Sequence, residues 1–413
     1  MAIKRYIFTD LVNHLGKKEI SLIVGPRQAG KTTLMLQLQE YLKKNAESTL
    51  FLSLDFERDM PYFRDQKSLL DRIRLDLGHR KGYIFIDEIQ RKENAGIFLK
   101  GIVDMQTPYK FIVSGSGSIE LKEKIHESLA GRKRMFELNT VSLKEFVDYK
   151  TGYKYEDRLK EYFEINFEEG ESFLSEYLNF GGYPRVVLED TYEEKLKTID
   201  ELYRSYIEKD IAYLLRVERI DAFGNLIRLL AGQLGSLINL NELSSTLGIS
   251  VQTVKNYLAY AEKTFIIRRL TPYFSNIRTE ISKSPIMYFS DIGLRNFSAG
   301  QFGRYTMRSD MGFLFQNLVY HLLYDKIRPA GGTLHYWRTK DKAEVDFVIH
   351  RGDELIPVEA KCRELKDKTV ARSLRGFLAR YRPKEAWVVN LRLKEEERIG
   401  DTRVRFVPFF ELL

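Results

Sequence analysis

Residues 19–33 read EISLIVGPRQAGKTT. Ile20, Leu22, Ile23 and Val24 form an apolar run that reads as a buried strand. The chain breaks at Gly25-Pro26, and a helical pattern resumes after Gly30. Gly25, four residues, then Gly30-Lys31-Thr32 is the spacing of a phosphate-binding loop in its strand, loop, helix setting. Glycine lets the backbone wrap a phosphate chain with its N–H groups turned inward, and the helix that follows offers its positive end to the anion. The candidate nucleotide-binding set is therefore Gly25, Pro26, Arg27, Gln28, Ala29, Gly30, Lys31, Thr32 and Thr33. Lys31 would reach the β- and γ-phosphates of a nucleotide. The loop alone does not separate ATP from GTP, and the absence of an Asn-Lys-x-Asp base-reading motif tilts the choice to ATP. Thr32 would offer its hydroxyl to Mg²⁺, a hard cation that takes oxygen ligands.

Around this stretch, strands alternate with helices. Helical spacing runs through Phe8, Leu11, Val12 and Leu15, then over Lys67–Leu77 and Glu93–Asp104. Apolar strands are expected at Ser48–Asp55, Tyr83–Asp87, Tyr109–Val113 and Arg134–Leu138. Such alternation predicts an α/β fold with a parallel sheet whose ligand edge lies at the strands' C-terminal ends. Gly25, Asp87 and Ser114 all fall there. Asp87 closes an apolar strand and would hold Mg²⁺. Glu88 follows it and would orient or deprotonate the attacking water, because in-line attack on a γ-phosphate needs positioning more than covalent help. Ser114 would contact the γ-phosphate or that water, or else simply belongs to a Ser/Gly-rich loop.

The combination of GPRQAGKTT, IFIDEIQ, IVSGS, Leu129-Ala130-Gly131-Arg132, Phe136-Glu137-Leu138 and Leu143-Lys144-Glu145-Phe146 resembles the prokaryotic AAA-type ATPases that carry a C-terminal domain of unknown function. The resemblance covers nearly the whole chain. It implies an ATPase core with an additional strand between the phosphate-loop and acidic strands, and a catalytic glutamate. Arg132 becomes the candidate charge-neutralising arginine, in cis or across a subunit boundary of a homo-oligomer, with a structural ion pair as its alternative.

Beyond residue 148 the chain turns to charge-rich, aromatic helices. The stretch 149–217 reads as a helical lid over the nucleotide site or a connector, with a sharp turn at Phe180-Gly181-Gly182-Tyr183-Pro184 and a long helix over Glu193–Leu215. Residues 218–278 carry a helix capped by Asn239, a turn at Gly248-Ile249-Ser250, a helix over Val251–Thr264 and a strand over Ile266–Phe274. This is the pattern of a winged helix. Its second helix would present Gln252, Thr253, Lys255 and Asn256 to DNA or RNA, while Arg268 and Arg269 in the wing would meet phosphate. Service as an interdomain adaptor is the competing reading.

Residues 279–413 read as a helix over Gly312–Tyr324, strands at Thr333–Arg338, Glu344–His350 and Glu354–Cys362, a helix at Thr369–Tyr381 and a strand at Ala386–Asn390. That order, with Asp346 on one strand and Glu359-Ala360-Lys361 on the next, resembles the PD-(D/E)xK nuclease fold. Glu359 and Lys361, two apart, would share a face that Asp346 joins, forming a second Mg²⁺ or Mn²⁺ site. Active members place a glutamate on the first helix, where this chain has Gln316. The amide removes a charge that would help hold metal.

The 413 residues exceed one ordinary core, and domains at 1–148, 149–217, 218–278 and 279–413 are expected. No apolar run is long enough for a membrane span, and one cysteine, Cys362, precludes an intrachain disulfide and fits a reducing cytoplasm. A net charge of +8 over this length permits nucleic-acid contact without requiring it. The sequence thus predicts a cytoplasmic Mg-dependent ATPase coupled to its C-terminal domains and acting on nucleic acid. Its rivals are an ATP-binding switch that grips a protein partner with little turnover, and an ATP-regulated metal-dependent nuclease.

Overall fold

The computed structural model describes residues 2–116, 129–206, 219–274, 284–302 and 309–413. Helix α1 (Ile7–Asn13) precedes strand β1 (Ile20–Gly25), all six of whose residues are buried. Helix α2 (Lys31–Lys44), β2 (Thr49–Ser53), α3 (Gln66–Leu77), β3 (Gly82–Asp87), α4 (Ala95–Asp104), β4 (Tyr109–Ser116) and β5 (Lys133–Glu137) complete the N-terminal unit. Its five strands are all parallel in the order β2-β3-β4-β1-β5, so β4 lies between β1 and β3. Two apolar layers follow from strand alternation. Leu22, Val24, Ile84 and Ile86 pack beneath α3 and α4, while Ile23, Phe85 and Ile112 pack beneath α1 and α2.

A helical stretch follows: α5 (Leu143–Lys150), α6 (Leu159–Ile165), α7 (Phe167–Phe180), α8 (Pro184–Val187) and α9 (Tyr192–Tyr203). The reciprocal bonds of Ser142 and Glu145 start α5, which satisfies two otherwise unpaired N–H groups. The expected helix over Glu193–Leu215 is seen to Tyr203, and its remainder beyond residue 206 lies outside the described residues. The expected boundaries at 217/218 and 278/279 lie there too.

Helix α10 (Ile220–Gly232) leads to α11 (Leu240–Leu247) and α12 (Val251–Lys263), joined through Gly248 at φ 61. Asn239 and Ser250 cap the two helices as expected, Ser250 accepting from the Thr253 N–H at 3.0 Å. Strand β6 (Ile267–Pro272) pairs antiparallel with β7 (Ile286–Phe289) and also parallel with β8 (Thr333–Arg338). It is therefore part of an eight-stranded mixed sheet rather than a free wing.

That sheet is completed by β9 (Glu344–Arg351), β10 (Glu354–Ala360), β11 (Glu385–Asn390), β12 (Glu395–Ile399) and β13 (Thr402–Pro408), with α13 (Ile292–Ala299), α14 (Met311–Ile327) and α15 (Arg372–Tyr381). The hairpin β12–β13, which the sequence reading missed, adds to the sheet beside β11. One continuous core runs from Val141 through the α10–α12 helices to Leu412, so the three stretches expected to be separate share their apolar interior.

Candidate functional site

The loop after β1 is shaped by two left-handed residues, Gln28 at φ 59 and Gly30 at φ 94. Gly25 is required by close approach: a Cβ there would lie 2.0 Å from the Leu138 carbonyl oxygen, where the chain leaving β5 crosses the loop. Lys31 is buried and folds back to donate to the Gly25 and Pro26 carbonyls at 3.2 and 2.9 Å. Burial lowers its pKa, and Glu88 and Asp87 oppose that.

The acidic strand meets the loop through hydroxyls. The Thr32 Oγ1 donates to Asp87 Oδ2 at 2.8 Å, and the Ser114 Oγ donates to Asp87 Oδ1. The Glu88 N–H in turn donates to Ser114 Oγ at 3.1 Å. Glu88 sits at φ 58, a left-handed conformation that costs a non-glycine residue roughly 1–2 kcal/mol, and that N–H bond helps hold it. Its carboxyl receives a bond from Gln90, and burial raises its pKa against the pull of Lys31. Ser114 is fully buried with its hydroxyl engaged at both ends. Its hydroxyl braces the Asp87 carboxylate.

A cavity of about 370 Å³ opens above these groups, with Lys31, Thr32 and Glu88 on one side and Pro184, Leu188 and Ile3 on the other. Arg185, on α8, approaches Gln28 Oε1 at 3.5 Å and pairs with Glu201 at 2.9 Å. Arg185 and Leu188 lie in the stretch 149–217 expected to be a lid or connector, just after its turn at 180–184, though the sequence singles out neither as a nucleotide contact. The signal it had was the Gly-Gly-Tyr-Pro turn: a Cβ on Gly182 would lie 2.0 Å from the Val141 carbonyl, which locks the start of α8 in place. Thr32 and the Asp87 carboxylate form an oxygen donor pair suited to Mg²⁺.

Arg132 lies elsewhere. It precedes β5, and Ile20, at the start of β1, donates its N–H to the Arg132 carbonyl. The phosphate loop follows the other end of β1, roughly 16 Å away at 3.3 Å per residue. Arg132 pairs with Asp104 at 2.6 Å, so within one chain it does not reach the cavity.

Arg268 is also not the exposed phosphate contact expected of a wing. It is buried against the Tyr324 ring, 4.7 Å from its centroid, and binds Glu137 and the Asn139 Oδ1. Arg328 adds a second ion pair to Glu137 at 2.9 Å. Burial would raise the Glu137 pKa, but Arg268 and then Arg328 outweigh it and hold the carboxyl at about 2. Gln252, Lys255 and Asn256 are exposed on α12, with Val254, Leu258 and Ala261 turned inward as expected.

On the C-terminal sheet, Asp346 Oδ1 accepts from the Gln316 amide at 2.9 Å and Oδ2 from the Ala360 N–H at 2.8 Å. Burial pushes its carboxyl up to about 6. Glu359 is buried, pairs with Lys361 at 3.2 Å and accepts from Ser373 Oγ at 3.3 Å. Both Asp346 oxygens are thus bonded by protein donors, whereas Glu359 Oε2 has the Lys361 ion pair but no hydrogen bond among the described residues. Among the described residues no group of three or more His, Cys, Asp or Glu side chains could hold a metal ion, and no helix is long and apolar enough to cross a membrane.

Residues 17–147 match a family model described as an AAA domain, residues 171–304 a domain of unknown function (DUF8612), and residues 311–412 a domain of unknown function (DUF4143). An uncharacterized protein of Mycobacterium tuberculosis is 28% identical over 368 residues, covering 88% of this chain and 74% of that one. Another, of Methanocaldococcus jannaschii, is 26% identical over 379 residues, covering 90% and 81%. Solved structures that are similar include the replication initiator DnaA bound to AMPPCP and single-stranded DNA, at 16% identity and TM-score 0.32 over 62% of this chain and 86% of that one. AMPPCP-bound DnaA from Aquifex aeolicus aligns at 15% identity and TM-score 0.27 over the same shares. The family matches place an AAA domain ahead of a DUF4143 domain.

Proposed function

We propose that the chain is a Mg-dependent ATPase whose nucleotide site drives the C-terminal half. The observation that carries this reading is the bonded series Thr32, Asp87, Ser114 and Glu88 N–H beside the loop Gly25–Thr33. Thr32 and Asp87 would hold Mg²⁺, which supplies charge neutralisation between the phosphates. Lys31 would exchange its bonds to Gly25 and Pro26 for phosphate oxygens. Ile3, Pro184 and Leu188 offer an apolar wall for the base, and Arg185 faces the loop from α8. Glu88, with its raised pKa, would orient and deprotonate water. Steady-state phosphate release from ATP tests the reading. Turnover that needs Mg²⁺ is expected, and its absence under all metal conditions would overturn it.

Nucleotide binding would rearrange the C-terminal half through Glu137, whose strand flanks the loop and whose carboxylate grips β6 and α14 through Arg268 and Arg328. The open polar face of α12 supports contact with nucleic acid. Asp346 and Glu359 we read as non-cleaving, since Gln316 stands where active members carry a glutamate and its amide takes one oxygen of Asp346. One observation favours the rival reading, a switch with little turnover: Arg132 pairs with Asp104 and does not reach the cavity within one chain. The isolated chain would then hydrolyse slowly until a second copy completes it.

A further inference from the structure

A cleft of about 840 Å³ follows the outer edge of β5, lined by the consecutive residues 134–140. One wall is Tyr6, which precedes α1, with Asp10 of α1, and the other is the end of α14 with Asp325 and Lys326. β5 is the last strand of its sheet. The Ile20 N–H bonds the Arg132 carbonyl and the Leu138 N–H bonds the Val24 carbonyl, so even-numbered residues turn their backbone groups toward β1. By alternation Lys133, Met135 and Glu137 turn theirs outward. Among the described residues nothing bonds the outward N–H and C=O of Met135. A strand edge of this kind is a template for another strand.

The side chains select the partner. Glu137 is neutralised by Arg268 and Arg328, and Glu145 by Arg5 at 3.1 Å. Arg134, Lys144 and Lys326 make no ion pair among the described residues, Arg134 and Lys144 lying instead over the Phe136 and Tyr6 rings. Three unpaired cations thus face the cleft against two exposed carboxylates, Asp10 and Asp325.

We propose that this cleft binds an extended acidic segment of a partner protein, which adds as a strand to β5 and sets its carboxylates against Arg134, Lys144 and Lys326. The segment would take two main-chain bonds from Met135. Arg5 links the cleft to the phosphate loop, since its guanidinium donates to the Ala29 carbonyl at 3.0 Å and to the Asn139 carbonyl at 2.7 Å.

The test is fluorescence anisotropy with a labelled peptide of about ten residues alternating Val and Glu, long enough to span the strand. Two controls accompany it: the same peptide N-methylated at alternate residues, and a Val/Lys version. Saturable binding of the acidic peptide is expected, weakened at least about tenfold by N-methylation, by Lys326→Glu and by Met135→Pro. Met135→Pro removes only an outward N–H and leaves the bonds to β1. Absence of saturable binding, equal binding of the N-methylated peptide, or equal binding of the Val/Lys peptide would each overturn the proposal. So would self-association in sedimentation that Met135→Pro abolishes, because the edge would then belong to a second copy. If Met135→Pro fails to fold by circular dichroism, the N-methylated peptide on the unaltered protein decides.

Discussion

Thr32 donates its hydroxyl to the Asp87 carboxylate at 2.8 Å, which joins the helix after the phosphate loop to the end of β3 across the intervening strand β4. Ser114 reaches the same carboxylate from β4. Asp87 is therefore fixed from both sides, by one group that would share a cation with it and one that would not.

Ser114→Ala removes the brace without touching the cavity wall. A hydrogen bond to a charged group contributes about 1.5–3 kcal/mol, so phosphate release is expected to fall roughly ten- to a hundredfold in kcat with KM for ATP little changed. A rise in KM with kcat unchanged would instead mean that Ser114 binds nucleotide directly.

Glu137 should make stability depend on acid. Its folded pKa of about 2 lies below the ordinary value of about 4.3, so the stabilisation is fully present above the latter and is lost as pH falls through about 2. Urea unfolding of Glu137→Gln should show a loss of about 3 kcal/mol at neutral pH, an order-of-magnitude figure that also reflects Arg268 left buried without its partner. The deficit should shrink between about pH 5 and pH 2. A deficit independent of pH would rule out the ion pair as its source.

The nucleotide half was largely legible in the sequence because its signals are local. Gly25 to Thr33 and Asp87-Glu88 are contiguous motifs on strands that bury both faces, and such strands read as apolar runs. Arg268 was misread because its partner is Glu137, 131 residues earlier, and no local pattern encodes that pairing. Gln316 showed as a missing glutamate, while its bond to Asp346, 30 residues on, emerged only in the fold. Arg132 carried a usable clue: it stands before its strand, whereas Gly25, Asp87 and Ser114 stand at or near the far ends of theirs.

Arg132→Ala follows from that position. At dilutions where the chain is monomeric, phosphate release is expected to stay within about twofold of the unaltered protein, since an exposed ion pair such as Arg132–Asp104 contributes under about 1 kcal/mol. A large loss under the same dilute conditions would place Arg132 at the site in cis.

Lys255→Glu probes the exposed face of α12. If that face meets duplex DNA, the variant should weaken binding uniformly across sequences and flatten the salt dependence by about one unit of slope. Unchanged binding would move nucleic-acid contact elsewhere on the chain.

Glu88→Gln is the most direct test of the central claim. Because the amide keeps the size of the side chain but cannot accept the water proton, the variant should bind ATP and Mg²⁺ as tightly as the unaltered protein. Its single-turnover phosphate release should fall about a hundredfold or more. Equal release by the two proteins, or release by neither, would contradict the account of this site as an ATP-hydrolysing one.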